Sequence, residues 1–296
     1  YINFYFKFIL MSLSIIVLAA GKGSRMLSKM PKVFHEVGNY PMLFHVLDTA
    51  SSLQKSSINL VISKSLSVYK DLLKKKYKNL SFTIQFEQKG TADAVNSAIK
   101  FINKKKLGTT LVMYGDTPLI SKKTLSNALK KFKEKKLDLC VISMKPPRKK
   151  NSYGKLRFLN KKLIGIIEQS ELNDNSSESD ICNSGIMIFR DEPLIQNIKL
   201  VKNKNNKNEY YLTDLVEIFN KKNLLVDHYT CSFTETLGVN SMIDLAEVNN
   251  EFQKERRNYF LNRGVFMQAP ETVYFSFDTR IGSNVTIQPN VFLGPS

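Results

Sequence analysis

Two glycines and two basic residues follow an apolar run near the start of the sequence. Residues 14–17 read SIIV, and residues 18–26, LAAGKGSRM, continue from them without a break. Glycine lets backbone N–H groups approach an anion closely, and Arg25 and Lys32 place positive charge beside the loop. A plain strand-to-helix turn is the alternative for a loop with two glycines. The spacing indicates a site for a phosphate-like anion.

The loop departs from two common phosphate-binding patterns. A Walker A loop needs a glycine five residues before Gly21, where Ile16 stands. A dinucleotide-binding fingerprint needs a small residue three positions after Gly23, where Met26 stands. The sequence therefore excludes both patterns.

A carboxylate stands where another apolar run ends. Residues 109–116 read TTLVMYGD, so Asp116 would emerge at the end of a buried strand. Carboxylate oxygens suit hard cations such as Mg²⁺, which also bind phosphates. Asp116 is a candidate ligand for such a cation, although a turn residue before Pro118 would give the same pattern.

These residues need a sheet to position them, and the sequence predicts one. Apolar runs alternate with helical patterns, as a mostly parallel sheet with covering helices requires. The candidate strands are 14–19, 58–63, 82–86, 109–114, 138–143 and 185–189. Ligands of such open sheets bind beyond the carboxyl ends of the strands, so we expect the glycine loop to lie in the site.

Helical patterns lie between and after these strands. Residues 91–102 predict one helix with Thr91 as its N-cap, and residues 121–132 predict another that Ser121 caps. A longer pattern covers residues 241–263. Gly264 follows it and suits a helix C-terminus.

The end of the sequence has a repeat of six residues. Ile281, Ile287 and Leu293 recur at this spacing, which is typical of a left-handed parallel β-helix. A coincidental β-hairpin is the alternative interpretation.

The composition constrains the class of protein. A hydrophobic content of 43% supports a folded core, and 44 Lys and Arg against 26 Asp and Glu give a net charge of +18. The lysines form short scattered runs without interleaved aromatic residues, which favours solvated surfaces over nucleic-acid binding. Dispersed cysteines and histidines predict no disulfide and no zinc site, and indicate a reducing, cytoplasmic compartment.

Residues 1–20 are apolar enough to imitate a signal peptide or a short membrane span. They lack a basic start and run directly into the glycine loop, so we expect no membrane association. The first methionine is Met11. We expect residues 1–10 to be a non-native or upstream extension.

The string LAAGKGSRMLSKMPK (18–32) resembles the signature of the sugar-phosphate nucleotidyltransferases. Later segments narrow the resemblance to the bacterial UDP-N-acetylglucosamine pyrophosphorylases: EQKGTADAV, YGDTPLI, SYGKL, IIEQ, CNSGIM, NEYYLTD and GVNS. That family usually carries a second domain, a glucosamine-1-phosphate N-acetyltransferase built as a left-handed β-helix. The resemblance covers residues 11–296 and stops early in that second domain.

The resemblance implies an α/β fold in three parts. Residues 11–240 would form a Rossmann-like nucleotidyltransferase domain, with a mixed, mostly parallel sheet and helices on both faces. Residues 241–263 would form a linker helix, and residues 264–296 the start of a left-handed parallel β-helix.

The resemblance also implies site residues. Arg25 and Lys32 would act as catalytic residues at the triphosphate, and Asp116 and Asn240 would bind Mg²⁺. Gln85, Gly90 and Thr91 would contact uracil. The N-acetylated sugar would lie against Gly154, Glu168, Asn183 and Thr213, and the remaining substrate-binding residues are Leu18, Ala19, Ala20, Gly21, Lys22, Gly23, Tyr114 and Gly115. Each lysine could instead be a surface charge, and Asn183, Thr213 and Asn240 could be turn or cap residues.

The implied reaction is Mg²⁺-assisted transfer of a uridylyl group from UTP to N-acetylglucosamine-1-phosphate, giving UDP-N-acetylglucosamine and pyrophosphate. The alternatives are another sugar-1-phosphate nucleotidyltransferase, using dTTP or UTP with glucose-1-phosphate, and a non-catalytic regulatory subunit of the same fold. The family's acetyltransferase site would lie after Ser296, so we expect no acetyl transfer from this chain. The resemblance implies a homotrimer for the full-length protein.

Overall fold

The computed structural model describes residues 12–53, 55–147, 153–171 and 179–296. The extension expected over residues 1–10 lies outside these ranges. The helices are α1 (Met42–Ser52), α2 (Lys70–Lys76), α3 (Thr91–Ser97), α4 (Ile99–Lys105), α5 (Lys122–Glu134), α6 (Asp191–Asn197), α7 (Leu215–Lys221) and α8 (Met242–Leu261). None of the helices in these ranges is long and apolar enough to cross a membrane.

The strands fall into one large sheet and two small pairs near the C-terminus. They are β1 (Leu13–Ala19), β2 (Ser56–Ile62), β3 (Leu80–Ile84), β4 (Thr109–Tyr114), β5 (Leu139–Met144), β6 (Lys155–Leu159), β7 (Lys162–Ile167), β8 (Cys182–Arg190), β9 (Val226–Cys231), β10 (Phe266–Met267), β11 (Tyr274–Phe275), β12 (Thr286–Ile287) and β13 (Phe292–Leu293).

The large sheet is mixed and mostly parallel. Its order is β3-β2-β1-β4-β8-β5-β9, with the β6-β7 hairpin attached to β8. The first four of these strands are parallel neighbours, β8 runs antiparallel between β4 and β5, and β9 is parallel to β5. The predicted α/β sheet is confirmed.

The residues of β1 show why helices must cover both faces of the sheet. Ile15 and Val17 pack in a cluster with buried residues of α1 and α5, whereas Ile16 and Leu18 pack with α3 and α7. Successive strand residues point to opposite faces, so a strand that is apolar throughout needs cover on both sides. Because both faces of β1 are covered, the chain reaches the surface at the C-terminal end of this strand, where the glycine loop begins.

The six predicted strands correspond to β1 to β5 and β8, with bounds shifted by no more than three residues. The sequence did not predict β6, β7 or β9. Charged residues interrupt the apolar pattern of these strands, such as Lys155 and Arg157 in β6 and Asp227 in β9. Such strands carry a weak sequence signal because one face meets solvent.

The helix predicted over residues 91–102 is divided at Ala98, whose dihedral angles (φ −91°, ψ 2°) separate α3 from α4. The prediction that Thr91 is an N-cap is wrong, because Gly90 occupies that position and Thr91 is the first residue of α3. Ser121 does cap α5, since its side chain accepts a backbone N–H from the first turn.

The C-terminal segment stacks short parallel strands beside α8. The helix ends at Leu261, before Gly264, which has a φ of 81°. β10 pairs with β12 and β11 with β13, both in parallel, so the hairpin alternative is wrong. Ile287 is buried, and Ile281 and Leu293 pack against the same cluster, which confirms that the repeat points inward.

Candidate active site

The glycine loop leads from β1 to a short 3-10 turn at Ser24–Met26 and lies against Lys32. Gly23 has a φ of 63°, a left-handed conformation that favours glycine. A Cβ atom on Gly23 would lie 2.9 Å from Lys32 Cβ. A side chain at position 23 would therefore push the loop away from Lys32.

The end of β1 offers backbone groups rather than side chains. Leu18, Ala19 and Ala20 are buried. The Gly115 N–H donates to the Leu18 carbonyl at 2.9 Å, which joins the end of β1 to the end of β4. A Cβ atom on Gly115 would lie 3.2 Å from Ala19 Cβ, so glycine permits this close approach.

Arg25 lies on the 3-10 turn with an exposed side chain, and Lys22 is exposed on the loop before it. Met26 anchors the turn because it is buried in a cluster with Val37 and Phe252. Within the part of the chain that is described, neither basic side chain forms a hydrogen bond or ion pair with another predicted site residue. Both are open to an incoming anion.

Lys32 joins two predicted cation ligands. Its Nζ forms an ion pair with Asp116 and donates a hydrogen bond to Asn240 Oδ1 at 3.3 Å. The side chains of Lys32 and Asp116 are 12% and 16% exposed, so solvent screens this pair weakly. The Val239 N–H donates to the Asp116 carbonyl at 3.0 Å, which fixes the segment before Asn240 to the end of β4.

The oxygen atoms at this point suit Mg²⁺. A carboxylate of Asp116 and an amide oxygen of Asn240 already converge on one positively charged group, the Lys32 ammonium. Mg²⁺ is commonly held by one or two protein oxygens together with water and substrate phosphates. Asp116 and Asn240 therefore fit the ion as ligands.

Gln85 lies directly after β3 and is buried. Its amide nitrogen donates to the Gly90 carbonyl at 3.2 Å and to Asp93 Oδ2 at 2.6 Å. Both N–H groups of the amide are therefore used, which fixes the orientation of the side chain. Gly90 itself has a φ of 119°.

The segment at residues 89–92 is bonded to residues 210–212, an arrangement we call the 90/210 ladder. Three hydrogen bonds form it: Tyr210 N to Lys89 O at 2.7 Å, Ala92 N to Tyr210 O at 2.9 Å, and Leu212 N to Thr91 Oγ1 at 3.0 Å. Thr213 follows immediately along the chain. The ladder therefore connects the predicted uracil contacts to the predicted sugar contacts.

The four predicted sugar contacts lie together. Thr213 Oγ1 donates to Glu168 Oε1 at 2.8 Å, and the Asn183 N–H donates to the Gly154 carbonyl at 2.8 Å. A Cβ atom on Gly154 would lie 3.2 Å from Glu168 Oε2. Burial raises the pKa of the Glu168 carboxyl, and the Thr213 hydrogen bond opposes this effect. Carboxylate and amide groups suit hydroxyl and acetamido groups.

Tyr114 lies between these groups of residues. Burial raises the pKa of its hydroxyl, and the negative charges of Glu168 and Asp116 raise it further. Gly185 makes room for the ring, because a Cβ atom there would lie 2.7 Å from it. The Tyr114 hydroxyl is therefore close enough to both Glu168 and Asp116 to sense their charges.

Sequence reasoning missed Gln88, which lies within the EQKGTADAV motif. Its amide nitrogen donates to the Ala20 carbonyl at 2.6 Å, so it ties the glycine loop to the segment after β3. The signal was a second amide side chain three residues from Gln85.

Comparison with known proteins identifies related sequences. The Nucleotidyl transferase family profile matches residues 14–233. The Bifunctional protein GlmU of Brucella anthropi is 36% identical over 280 residues, and that of Wolbachia sp. subsp. Brugia malayi is 38% identical over 283 residues. Each alignment covers 95% of this chain, but 61% and 67% of the two relatives. The chain thus spans about three-fifths to two-thirds of their length.

Solved structures share the fold at low sequence identity. A nucleoside-diphosphate-sugar pyrophosphorylase from Vibrio cholerae aligns with a TM-score of 0.63 at 16% identity, over 79% of this chain and 99% of that one. A UDP-glucose pyrophosphorylase complexed with UDP-glucose aligns with a TM-score of 0.65 at 18% identity, over 83% and 100%.

Proposed function

Since the chain belongs to the nucleotidyl transferase family, we propose that it transfers a uridylyl group from UTP to N-acetylglucosamine-1-phosphate. The products are UDP-N-acetylglucosamine and pyrophosphate. The choice of substrates is supported by the ordered motifs that resemble UDP-N-acetylglucosamine pyrophosphorylases, among them EQKGTADAV, CNSGIM and NEYYLTD.

The chemistry is an in-line displacement at phosphorus. A phosphate oxygen of the sugar-1-phosphate attacks the α-phosphorus of UTP and forms a new P–O bond. The bond from the α-phosphorus to the oxygen that bridges it to the β-phosphorus breaks, and pyrophosphate leaves with that oxygen. The nucleophile is already an anion, so the reaction needs no general base. Catalysis then depends on positioning and on neutralising negative charge.

The residues of this chain divide that work. Backbone N–H groups of the glycine loop, with Arg25 and Lys32, bind the triphosphate and stabilise the leaving pyrophosphate. The 90/210 ladder aligns the base region with Glu168 and Thr213, which hold the sugar. When bound by Asp116 and Asn240, Mg²⁺ supplies further charge neutralisation at the phosphates.

One observation carries this proposal. Asp116 and Asn240 converge at the Lys32 ammonium, and Lys32 lies directly against the glycine loop. Anion-binding backbone, a basic side chain and hard-cation ligands thus meet at one end of the sheet. Catalysis of phosphoryl transfer depends on positioning and charge neutralisation, which these components can supply.

The test is pyrophosphate release from UTP and N-acetylglucosamine-1-phosphate, measured with and without Mg²⁺. We expect release to require all three components. Asp116→Ala should lower the rate by about 10²-fold to 10³-fold, the cost of losing a key electrostatic group. Asp71→Ala, at an exposed aspartate in α2, should leave it unchanged.

The assay also separates the competing substrates. Faster turnover with dTTP and glucose-1-phosphate would contradict the proposed specificity while keeping the reaction type. Equal rates for wild type and Asp116→Ala would contradict the proposed cation site.

A further inference from the structure

Asn240 lies two residues before the start of α8, and that start is capped reciprocally. Ser241 Oγ accepts the Asp244 N–H at 3.2 Å, and Asp244 Oδ2 accepts the Ser241 N–H at 2.9 Å. Such a capping box stabilises the first turn of a helix.

Asp244 makes one bond that a capping box does not require. The same Oδ2 atom also accepts the N–H of Asn240 at 2.9 Å. On the other side of Asn240, the Val239 N–H donates to the Asp116 carbonyl. The backbone is therefore held by the turn after β4 at Val239 and by α8 at Asn240.

This double attachment determines where the Asn240 amide oxygen lies. Mg²⁺ demands near-ideal octahedral geometry with oxygen distances of about 2.0–2.1 Å. A ligand on a loop meets that demand only if its backbone is fixed to within about 0.5 Å. Without the Asp244 bond, the Asn240 N–H would lose its acceptor, and the peptide before Asn240 would be held less firmly.

We propose that Asp244 is a positioning residue for the cation site, acting through the backbone of Asn240. This inference rests on the proposed function, because it assumes that Asn240 is a ligand. Asp244 does not itself contact the ion or the substrates. Its carboxylate couples the first turn of α8 to the geometry at Asp116.

The capping box supplies a matched control. Ser241→Ala removes the cap on the Asp244 N–H but leaves the bond from Asn240 to Asp244. Asp244→Ala removes the acceptor for both Asn240 and Ser241. Both variants lose a cap, so each should lower Tm by about 2–4 °C. A purely structural role predicts equal effects on metal binding, whereas a positioning role predicts unequal effects.

The measurement is Mn²⁺ titration of the full chain followed by electron paramagnetic resonance, with Mn²⁺ alone as the probe. We expect Ser241→Ala to bind within about twofold of wild type. Asp244→Ala should bind about 10-fold more weakly, since loss of an outer partner of a ligand typically costs 10-fold to 100-fold. Asp244→Asn keeps an oxygen acceptor and should recover most of the affinity.

The Mg²⁺ dependence of the reaction rate gives an independent measurement. Asp244→Ala should raise the Mg²⁺ concentration for half-maximal pyrophosphate release about 10-fold. The rate at saturating Mg²⁺ should recover to within a few-fold of wild type. Equal metal affinities for Asp244→Ala and Ser241→Ala would overturn the inference.

Hydrogen exchange tests the same bond without any substitution. The amide of Asn240 should be protected in the wild-type chain, and an unprotected amide would overturn the inference even if Asp244→Ala did not fold. Failure of the proposed function has a different signature. In that case Asp116→Ala would bind Mn²⁺ as wild type does, whatever the behaviour of Asp244.

Discussion

Lys32 lies where its ammonium contacts both oxygen-bearing side chains of the proposed cation site. A positive charge at that point satisfies Asp116 in the absence of another cation, and it repels a divalent ion that approaches the same oxygens. We therefore expect nucleotide binding to draw the Lys32 ammonium away from Asp116. Nucleotide binding would release Asp116 for Mg²⁺.

Replacing Lys32 should separate these two roles. We expect Lys32→Met to bind Mn²⁺ about threefold to 10-fold more tightly than wild type in the absence of nucleotide, because the competing charge is gone. The same variant should lose about 10²-fold or more in the rate of pyrophosphate release. Mn²⁺ titration and the rate assay check the two effects.

Lys22 provides the matched control, since it is exposed on the glycine loop. Lys22→Met should leave Mn²⁺ binding unchanged. Weaker Mn²⁺ binding by Lys32→Met would show that the lysine supports the cation site instead of competing with it.

Asp214 predicts a dependence of stability on pH. Burial raises its pKa to about 6, and the negative charges of Glu217, Glu171 and Glu168 contribute. The ordinary pKa of the group is 3.8. Between pH 3.8 and about 6, the Asp214 carboxyl is therefore protonated in the folded state but ionised in the unfolded state. The Asp214 contribution to stability is therefore present at low pH and is lost as pH rises through about 6.

Asp214→Asn removes the charge and nearly keeps the shape. It should raise the free energy of unfolding by about 1 kcal/mol at pH 8, after allowance for solvent screening. The gain should shrink as pH falls from about 6 towards 3.8. Denaturant unfolding at several pH values measures it, with Asp71→Asn as the control. A gain independent of pH would contradict the assignment.

At the scale of elements, the 90/210 ladder depends on a glycine. Gly90 has a φ of 119°, and a Cβ atom there would lie 2.5 Å from the Tyr210 carbonyl oxygen. Gly108 also has a positive φ, of 83°, but a Cβ atom there meets nothing within 4 Å. A side chain at Gly108 therefore meets backbone strain alone, whereas a side chain at Gly90 meets strain and a collision.

We expect Gly90→Ala to cost about 2–4 kcal/mol of stability, from backbone strain together with the collision. Gly108→Ala should cost about 1–2 kcal/mol from strain alone. Because the ladder joins both proposed substrate regions, Gly90→Ala should raise KM for UTP and for the sugar phosphate. Thermal unfolding and steady-state kinetics check this. A change in one KM alone would show that the regions are independent.

The ladder also marks the limit of what the sequence predicts. The candidate strands 14–19 and 109–114 coincide with β1 and β4 to within one residue, because unbroken apolar runs between turn residues are a strong local signal. The resemblance of the motifs predicted Gly90 and Thr91 as uracil contacts and Thr213 as a sugar contact, without relating them to one another. Their connection through Tyr210 depends on residues more than a hundred positions apart, and no local pattern encodes it.

Of the two predicted helix N-caps, Ser121 is confirmed and Thr91 is wrong. Ser121 has a side chain that reaches the first turn of α5. Thr91 has the same chemistry, but its hydroxyl accepts the Leu212 N–H instead, and Gly90 takes the cap position. A tertiary hydrogen bond therefore displaced the local preference of the sequence.

At the scale of the whole molecule, α8 connects the sheet to the C-terminal strands. The Gly38 N–H donates to Asn249 Oδ1 at 2.9 Å, and Phe252 packs against the same turn. Tyr40, just beyond, stacks on Phe277 with ring centroids 3.7 Å apart. The helix that follows Asn240, α8, is thus anchored to the segment that follows Lys32.

Gln253 links α8 to the C-terminal strands through two buried hydrogen bonds. Its amide donates to the Phe275 carbonyl and accepts the Phe275 N–H, each at 2.7 Å. Gln253 and Phe275 are 3% and 1% exposed, so water cannot replace these bonds. Gln253→Leu should therefore cost about 2–4 kcal/mol, since it leaves two buried backbone groups unpaired.

This loss should leave α8 in place, because the bond of α8 to Gly38 through Asn249 does not involve Gln253. We expect hydrogen exchange to rise in residues 265–296 of the Gln253→Leu variant, and pyrophosphate release at 25 °C to stay within about twofold of wild type. Gln268→Leu, at an exposed glutamine in the same segment, should change neither. If exchange rose equally in β1 and β4, the C-terminal strands and the sheet would form one cooperative unit, and the anchoring of Asn240 would depend on the whole length of α8.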